Sequence, residues 1–410
     1  MAYEICSIAP DDLTDLFRAV STAFGDTYNE EALEDERLVI EYDRMIGVAD
    51  NGQLVAGAGA YSFEHTLPGN TFIPVAGVTW VGCMPSHRRQ GILTSMMQHQ
   101  LDDVVERGES VAILTASEAV IYGRFGYGLS SQAVWAKVPT KRGAFARSPE
   151  AGGRIRFVWG DEREKVLPPL FDQWRRTRAG AVDRNEGKWK TYFVDRERDR
   201  RGASSAFTVV HEDNAGTADG YAWYRIRQRP HEGPNEAIAR EVISCDPEVE
   251  AALWRFLLDL DLAETLHVEA QPIDGVLPWL LADHRAYNVT FVGDFLWTRV
   301  LDTRVALEAR RYAGEGSLVI DVIDEFRPDG AADGRFKLDT SPYGATCTPV
   351  DKTVNADITA PVSALGNAYL GGVAWTTLAA AGRASGDRDA LLAADQLFRS
   401  TPMPFCNTGF

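Results

Sequence analysis

At 410 residues the chain is too long for one ordinary hydrophobic core, so two or three domains are expected. Hydrophobic residues at 45% and charged residues at 25% give the balance of a soluble globular protein, and no run reaches the roughly 20 apolar residues that span a bilayer. A formal net charge of −17 disfavours nucleic acid as a partner, because phosphate binding needs a concentrated basic surface. The same acidity suits cationic small molecules, whose local concentration an acidic cleft would raise, although it also serves solubility alone.

Cys6, Cys83, Cys245, Cys347 and Cys406 are scattered, odd in number and free of Cys-x-x-Cys spacing, and the seven histidines form no ligand pair. A reducing, cytoplasmic setting and no metal site are therefore expected. The start, Met1-Ala-Tyr-Glu-Ile, lacks the basic and apolar regions of a signal peptide.

Along the first stretch, Leu13, Leu16, Phe17 and Val20 share one face and predict a helix over 11–24. Asp50-Asn51-Gly52 lies between two apolar runs and predicts a hairpin. An apolar strand over 72–82 runs into His87-Arg88-Arg89-Gln90-Gly91 and then into an amphipathic helix from Ile92 to about 107. Glycine lets a ligand approach the backbone closely, the helix N-terminus presents amides, and Arg88 and Arg89 add full charges. This is a cradle for a pyrophosphate, with neither Gly-x-Gly-x-x-Gly nor Gly-Lys-Ser/Thr in it. Its order, Arg-Arg-Gln-Gly-Ile-Leu, resembles the loop with which GNAT N-acetyltransferases hold acetyl-coenzyme A. A short buried strand at 111–115 and a brief helix at 121–125, closed by Gly126, follow.

Residues 146–298 repeat this order. A largely helical stretch at 174–193 precedes strands at 207–211 and 221–226, a strand at 241–244, a helix at 247–260 and a strand at 266–270. The junction Ser244-Cys-Asp-Pro-Glu248 has no arginine or glycine and is acidic where a pyrophosphate would sit, so this copy is expected to lack the cofactor. From 299 on, Leu318, Ile320 and Val322 alternate with polar residues, as do Phe336 and Leu338. Helical patterns then follow at 364–371, 375–381 and 389–398, predicting an α+β domain. The expected architecture is mixed α/β and α+β, with domains at 1–145, 146–298 and 299–410.

Acetyl transfer to an amine needs a hydrogen-bond donor for the thioester carbonyl, a base for the attacking ammonium and an acid for the departing thiolate. Backbone amides around Val81, Gly82 and Cys83 suit the first task. A phenol suits the third, its ordinary pKa of about 10 lying above the roughly 8.5 of a thiol. Ser117-Glu-Ala-Val-Ile-Tyr-Gly-Arg-Phe-Gly-Tyr-Gly128 resembles the GNAT segment carrying that acid, which makes Tyr122 the candidate and Tyr127 a packing aromatic.

The whole chain resembles the enhanced intracellular survival (Eis) acetyltransferases. The likeness rests on Val81-x-x-x-Pro-x-His-Arg-Arg-x-Gly, Ala116-Ser-Glu-x-x-Ile-Tyr-Gly-Arg-Phe-Gly-Tyr-Gly, Asp294-Phe-Leu-Trp-x-Arg-x-Leu-Asp and the ending Phe-Cys-x-Thr-x-Phe. The resemblance implies tandem GNAT folds, the second degenerate, then a domain like sterol carrier proteins, and a homohexamer built as a trimer of dimers. It implies acetyl-coenzyme A contacts from Val81, Gly82, Cys83, Arg89, Gln90, Gly91, Ile92, Leu93, Thr94, Ser117 and Glu118. It makes the terminal carboxylate of Phe410 the general base, and lines the acceptor pocket with Phe24, Asp26 and Trp80. Two departures stand out: Thr115 where some members have histidine, and Gly409 where some have an acidic residue. The expected activity is acetylation of polycationic amines such as aminoglycosides. The alternatives are acetylation of protein lysines and a non-catalytic lipid or acyl-coenzyme A carrier.

Overall fold

The computed structural model describes residues 3–229 and 233–410, which divide after Ser131 and after Gly293. One unit contains the residues up to Ser131 together with Asp294–Phe410; the other is Gln132–Gly293.

In the first unit, β1 (Glu4–Ser7), β2 (Ile46–Asp50), β3 (Gln53–Leu67) and β4 (Thr71–Cys83) pair antiparallel in succession. The β2–β3 hairpin turns on Asn51 and Gly52, whose φ values of 50° and 81° fit an Asn-Gly pair. Between β1 and β2 lie α1 (Leu13–Phe24) and α2 (Glu30–Arg37). Leu13, Leu16 and Val20 of α1 are buried against the sheet, each contributing about 1.5–3 kcal/mol. From β4 the chain crosses through α3 (Ile92–Glu106) into β5 (Val111–Leu114), which pairs parallel to β4 and is buried along its length. Met97, Leu101 and Val104 of α3 cover Ala76, Val78, Ala112 and Leu114. A one-turn helix α4 (Ala119–Tyr122) and a 3-10 turn lead to the two-residue β6 (Gly128–Leu129).

Between β5 and β6 lies a strand from far along the chain, Trp297–Val300, antiparallel to both. After it, a five-stranded sheet forms in the order Gly344–Pro349, Gly334–Ser341, Gly316–Ile323, Ile358–Pro361, Ser385–Gly386. Leu318, Ile320, Val322, Phe336 and Leu338 are buried, following the alternation read from the sequence. The helix Val362–Tyr369 is buried at every residue and packs on β6. The approach is very close, because a Cβ on Gly128 would lie 2.0 Å from the Ser363 carbonyl oxygen and 2.5 Å from the Asn367 nitrogen.

The second unit is a seven-stranded sheet in the order Asn288–Asp294, Gln132–Pro139, Ala263–Pro272, Asn235–Ser244, Ala218–Arg227, Phe207–Glu212, Arg154–Phe157. Asn235–Ser244 and Ala263–Pro272 pair parallel, on either side of the helix Pro247–Leu258. The helical stretch expected over 174–193 is two helices, Gly160–Arg175 and Glu186–Val194. Gly180, left-handed at φ 92°, lies in the break, and Asn185 caps the second helix by accepting from the Lys188 amide. The first helix begins well before Trp174 and runs through Pro168 and Pro169, which as residue types signal a helix end.

Gly128→Ala is expected to destabilise the first unit by about 3 kcal/mol, because the helix backbone above it has no room to yield. Denaturant titration of the variant against the wild type measures this.

Candidate functional site

β4 and β5 stay paired only as far as Val78 opposite Leu114. Past that point β4 bends. Its register against β3 slips so that Trp80 and Val81 both face Ala58, and Trp80 takes a left-handed φ of 57°. Where the two strands part there is a cavity of about 280 Å³, lined by Trp80 and Val81 on one side and Thr115 and Ser117 on the other. A second cavity, of about 460 Å³, runs along the end of β4, the start of α3 and the segment before α4. Phe24, Val81, Ser117 and Tyr122 border both.

The larger cavity is floored by the cradle. Arg89 and Gly91 are left-handed, at φ 64° and 84°, so the chain coils tightly before α3 begins. Gly91 sits at the N-cap and offers no side chain to the first amides of the helix, and a Cβ there would meet nothing within 4 Å. Open helix-terminal amides beneath free space fit a pyrophosphate. Arg88 is engaged by the fold: it donates to the carbonyls of Ala23 at 2.7 Å and Cys83 at 3.4 Å, joining the end of α1 to the end of β4. Arg89 is exposed at the cavity rim, and Ile92, Leu93 and Thr94 also line it. Gln90 does not; its side chain accepts from the Tyr3 hydroxyl. Burial raises the Cys83 thiol pKa, with the Arg88 charge opposing the shift, which keeps the thiol protonated. In the second unit the corresponding helix carries its own anion: Asp246 accepts from the Glu248 amide at 2.8 Å.

Tyr122 is buried at 5% exposure at the junction of the cavities. Burial, and then the charge of Glu118, push its phenol up to about 12. It therefore remains a proton donor across the neutral range. Tyr127, fully buried, meets it edge to face with ring centroids 5.9 Å apart.

Phe410 lines the smaller cavity. Thr115 Oγ1 donates to its carboxyl oxygen at 3.1 Å, and its ring packs against Phe63 at 5.1 Å. Gly77 has no side chain to block that ring, since a Cβ there would fall 2.4 Å from Phe63 and 3.3 Å from Phe410. Phe405, Cys406 and Thr408 are buried along the way, so the tail is fixed.

Of the residues expected at the acceptor site, Phe24 and Trp80 border the smaller cavity, whereas Asp26 is exposed and lines neither. Glu36, which no periodicity singles out, accepts from the Trp80 indole at 3.3 Å and from the Tyr61 hydroxyl at 2.9 Å. Its only sequence sign is the run of acidic residues in α2. Ala23, His87, Ile121 and Arg124 also line the larger cavity. His87 is held by Asp50 at 3.2 Å. Among the described residues no cluster of three or more His, Cys, Asp or Glu could hold a metal ion, and no helix is long and apolar enough to cross a membrane.

An acetyltransferase (GNAT) domain model matches residues 4–130, another acetyltransferase (GNAT) domain model matches 180–305, and a sterol carrier protein domain model matches 303–407. The chain is 36% identical over 417 residues to an uncharacterized N-acetyltransferase of Streptomyces avermitilis, covering 100% of both chains. It is 32% identical over 394 residues to N-acetyltransferase Eis of Mycobacterium tuberculosis, covering 93% of each. The crystal structure of Eis1 from Mycobacterium abscessus superposes with a TM-score of 0.87 at 31% identity, covering 100% of both chains. With two GNAT domains, a sterol carrier-like domain and this full-length similarity, the chain belongs to the Eis family of GNAT N-acetyltransferases.

Proposed function

We propose that this enzyme moves acetyl groups from acetyl-coenzyme A to the amines of polycationic acceptors of the aminoglycoside type. The observation that carries the reading is the meeting of two cavities at Tyr122, with Phe410 lining the smaller one and one of its carboxyl oxygens accepting from Thr115 beside it. Bound acetyl-coenzyme A supplies an activated acyl group at that junction. The amides from Gly91 to Thr94 and the charge of Arg89 hold its pyrophosphate. Val81 to Cys83 offer backbone groups to the pantetheine arm and the thioester carbonyl, and Ser117 and Glu118 close the other wall.

Tyr122 donates a hydrogen bond toward the departing sulfur. With its pKa at about 12, full transfer to a thiolate of about 8.5 is uphill by several kcal/mol, at about 1.4 kcal/mol per unit. Stabilising the developing charge is therefore its larger contribution, and a proton passed to the sulfur is restored to the phenolate from solvent as coenzyme A leaves. The Phe410 carboxylate takes the proton of the attacking ammonium, with Thr115 holding one of its oxygens.

Phe24 and Trp80 give aromatic faces to a cationic acceptor, and Glu36, accepting the indole N–H, makes the Trp80 face more negative. A net charge of −17 draws polycations to the molecule. Gly409 removes the carboxylate that some relatives place beside the terminal phenylalanine, so efficiency or regiospecificity differs from theirs.

Acetylation of a kanamycin-like or neomycin-like amine, read as mass gain together with thiol release, is the direct test; no product with either class rejects the aminoglycoside acceptor. Extending the chain by a few residues beyond Phe410 should lower kcat by about a hundredfold while acetyl-coenzyme A affinity by calorimetry holds. Normal turnover in the extended protein would exclude the carboxylate as base. Tyr122→Phe should lower kcat by about a hundredfold as well.

The pH dependence has a definite sign. Tyr122 adds no falling limb until near pH 12. Because its folded pKa is raised, Tyr122 also contributes stability that is fully present below about pH 10 and is lost as pH rises through 12. A falling kcat limb near pH 9 that disappears in Tyr122→Phe would contradict this.

A further inference from the structure

The motif Asp294-Phe-Leu-Trp-x-Arg-x-Leu-Asp302 lines neither cavity, yet its strand sets the position of both segments that do. Trp297 faces Leu114 of β5 on one side and Leu129 of β6 on the other. Leu114 directly precedes Thr115, the residue that holds Phe410, and β6 directly follows the turn that carries Tyr122.

Within this strand Arg299 is 0% exposed, and its Nη2 meets Asp324, itself 1% exposed, at 2.6 Å. Its Nη1 donates to the Val300 carbonyl at 2.9 Å. The guanidinium lies flat against Gly126: a Cβ there would be 2.8 Å from Cζ, Nε and Nη1 alike. Gly126 is left-handed at φ 86°, and its amide returns to the Gly123 carbonyl at 3.1 Å, while the Tyr127 amide returns to the Tyr122 carbonyl at 3.2 Å. The turn from Tyr122 to Tyr127 therefore closes against a charged plane. Tyr127 then braces the Tyr122 ring edge to face. Burial raises the Tyr127 phenol pKa, and the Arg299 charge opposes that shift, so the two groups are within electrostatic reach.

A buried ion pair is a poor device for stability alone, because apolar residues of similar volume often do as well or better. A flat, fixed cation is instead suited to holding one backbone geometry. We infer that Arg299, anchored by Asp324, is a positioning residue for Tyr122, fixing the turn through Gly126 so that the phenol points into the junction of the two cavities. The inference rests on the reading of Tyr122 as the proton donor.

The test is a double-mutant cycle in the full chain. Arg299→Lys, and Arg299→Met combined with Asp324→Leu, are each made alone and together with Tyr122→Phe. Thermal melts are recorded, and kcat and both KM values are measured by thiol release. The expected result is a loss in kcat of about tenfold or more for Arg299→Lys at unchanged KM for acetyl-coenzyme A, since small misplacements of a reacting group are costly. In the Tyr122→Phe background the same change should cost less than about twofold. The paired apolar replacement should behave alike with an undiminished melting temperature; if that pair does not fold, Arg299→Lys carries the comparison. Equal losses in both backgrounds, or none in either, overturn the positioning role. A fully active Tyr122→Phe enzyme instead overturns the proton-donor reading itself, so the two failures are distinguishable.

Discussion

The parting of β4 from β5 after Val78 and Leu114 is the constraint on which the site depends. Two parallel strands, buried and covered by α3, cannot separate without leaving backbone groups unpaired by the sheet. β4 takes a bulge at Trp80 and Val81 and bends away, while the residue after β5, Thr115, turns its hydroxyl to the Phe410 carboxyl group. The space opened between the strands is the smaller cavity, and everything proposed about chemistry happens there or at its border with the larger one.

What surrounds the gap shows how one fold gives different results in two copies. In the first unit the helix after the central strand starts at Gly91, with no side chain over its amides and free space above them. In the second unit the equivalent helix starts at Asp246, whose carboxylate already takes an amide. An N-terminal helix end can serve an external anion or an internal one, and a single residue type decides between them. The sequence difference between Arg-Arg-Gln-Gly and Ser-Cys-Asp-Pro is thus a difference in what the helix dipole faces.

The cradle was legible because its chemistry is local: arginine, glycine and an amphipathic helix within a few residues. The same holds for Tyr122 and the left-handed Gly126 that closes its turn. Three features could not be read from local pattern. The strand Trp297–Val300 is a four-residue segment holding a threonine and an arginine, with no local pattern to mark its partners, and only pairing with β5 and β6 gives it a place. The tail of the chain shows its aromatics but not its destination, and the contact with Thr115 comes from tertiary packing; a family resemblance supplied that expectation where periodicity could not. Glu36 sits in a helix so acidic that nothing marks one carboxylate from the next, until Trp80 and Tyr61 are seen to donate to it. Local propensity also failed at Pro168 and Pro169, where a helix continues through two residues that as a type interrupt it. There the packing of Leu167, Leu170 and Phe171 into the unit's interior outweighs the lost backbone bonds.

The central claim is geometric: a thioester held by the Gly91 cradle ends between the Tyr122 hydroxyl and the Phe410 carboxylate. A crystal structure with coenzyme A and a polyamine acceptor measures it directly. The account predicts the coenzyme sulfur within about 3.5 Å of the Tyr122 oxygen and an acceptor nitrogen within about 3.2 Å of a Phe410 carboxylate oxygen, directly or through one water. Coenzyme bound elsewhere than the cradle, or an acceptor amine well beyond the reach of the Phe410 carboxylate even through a bridging water, would contradict it.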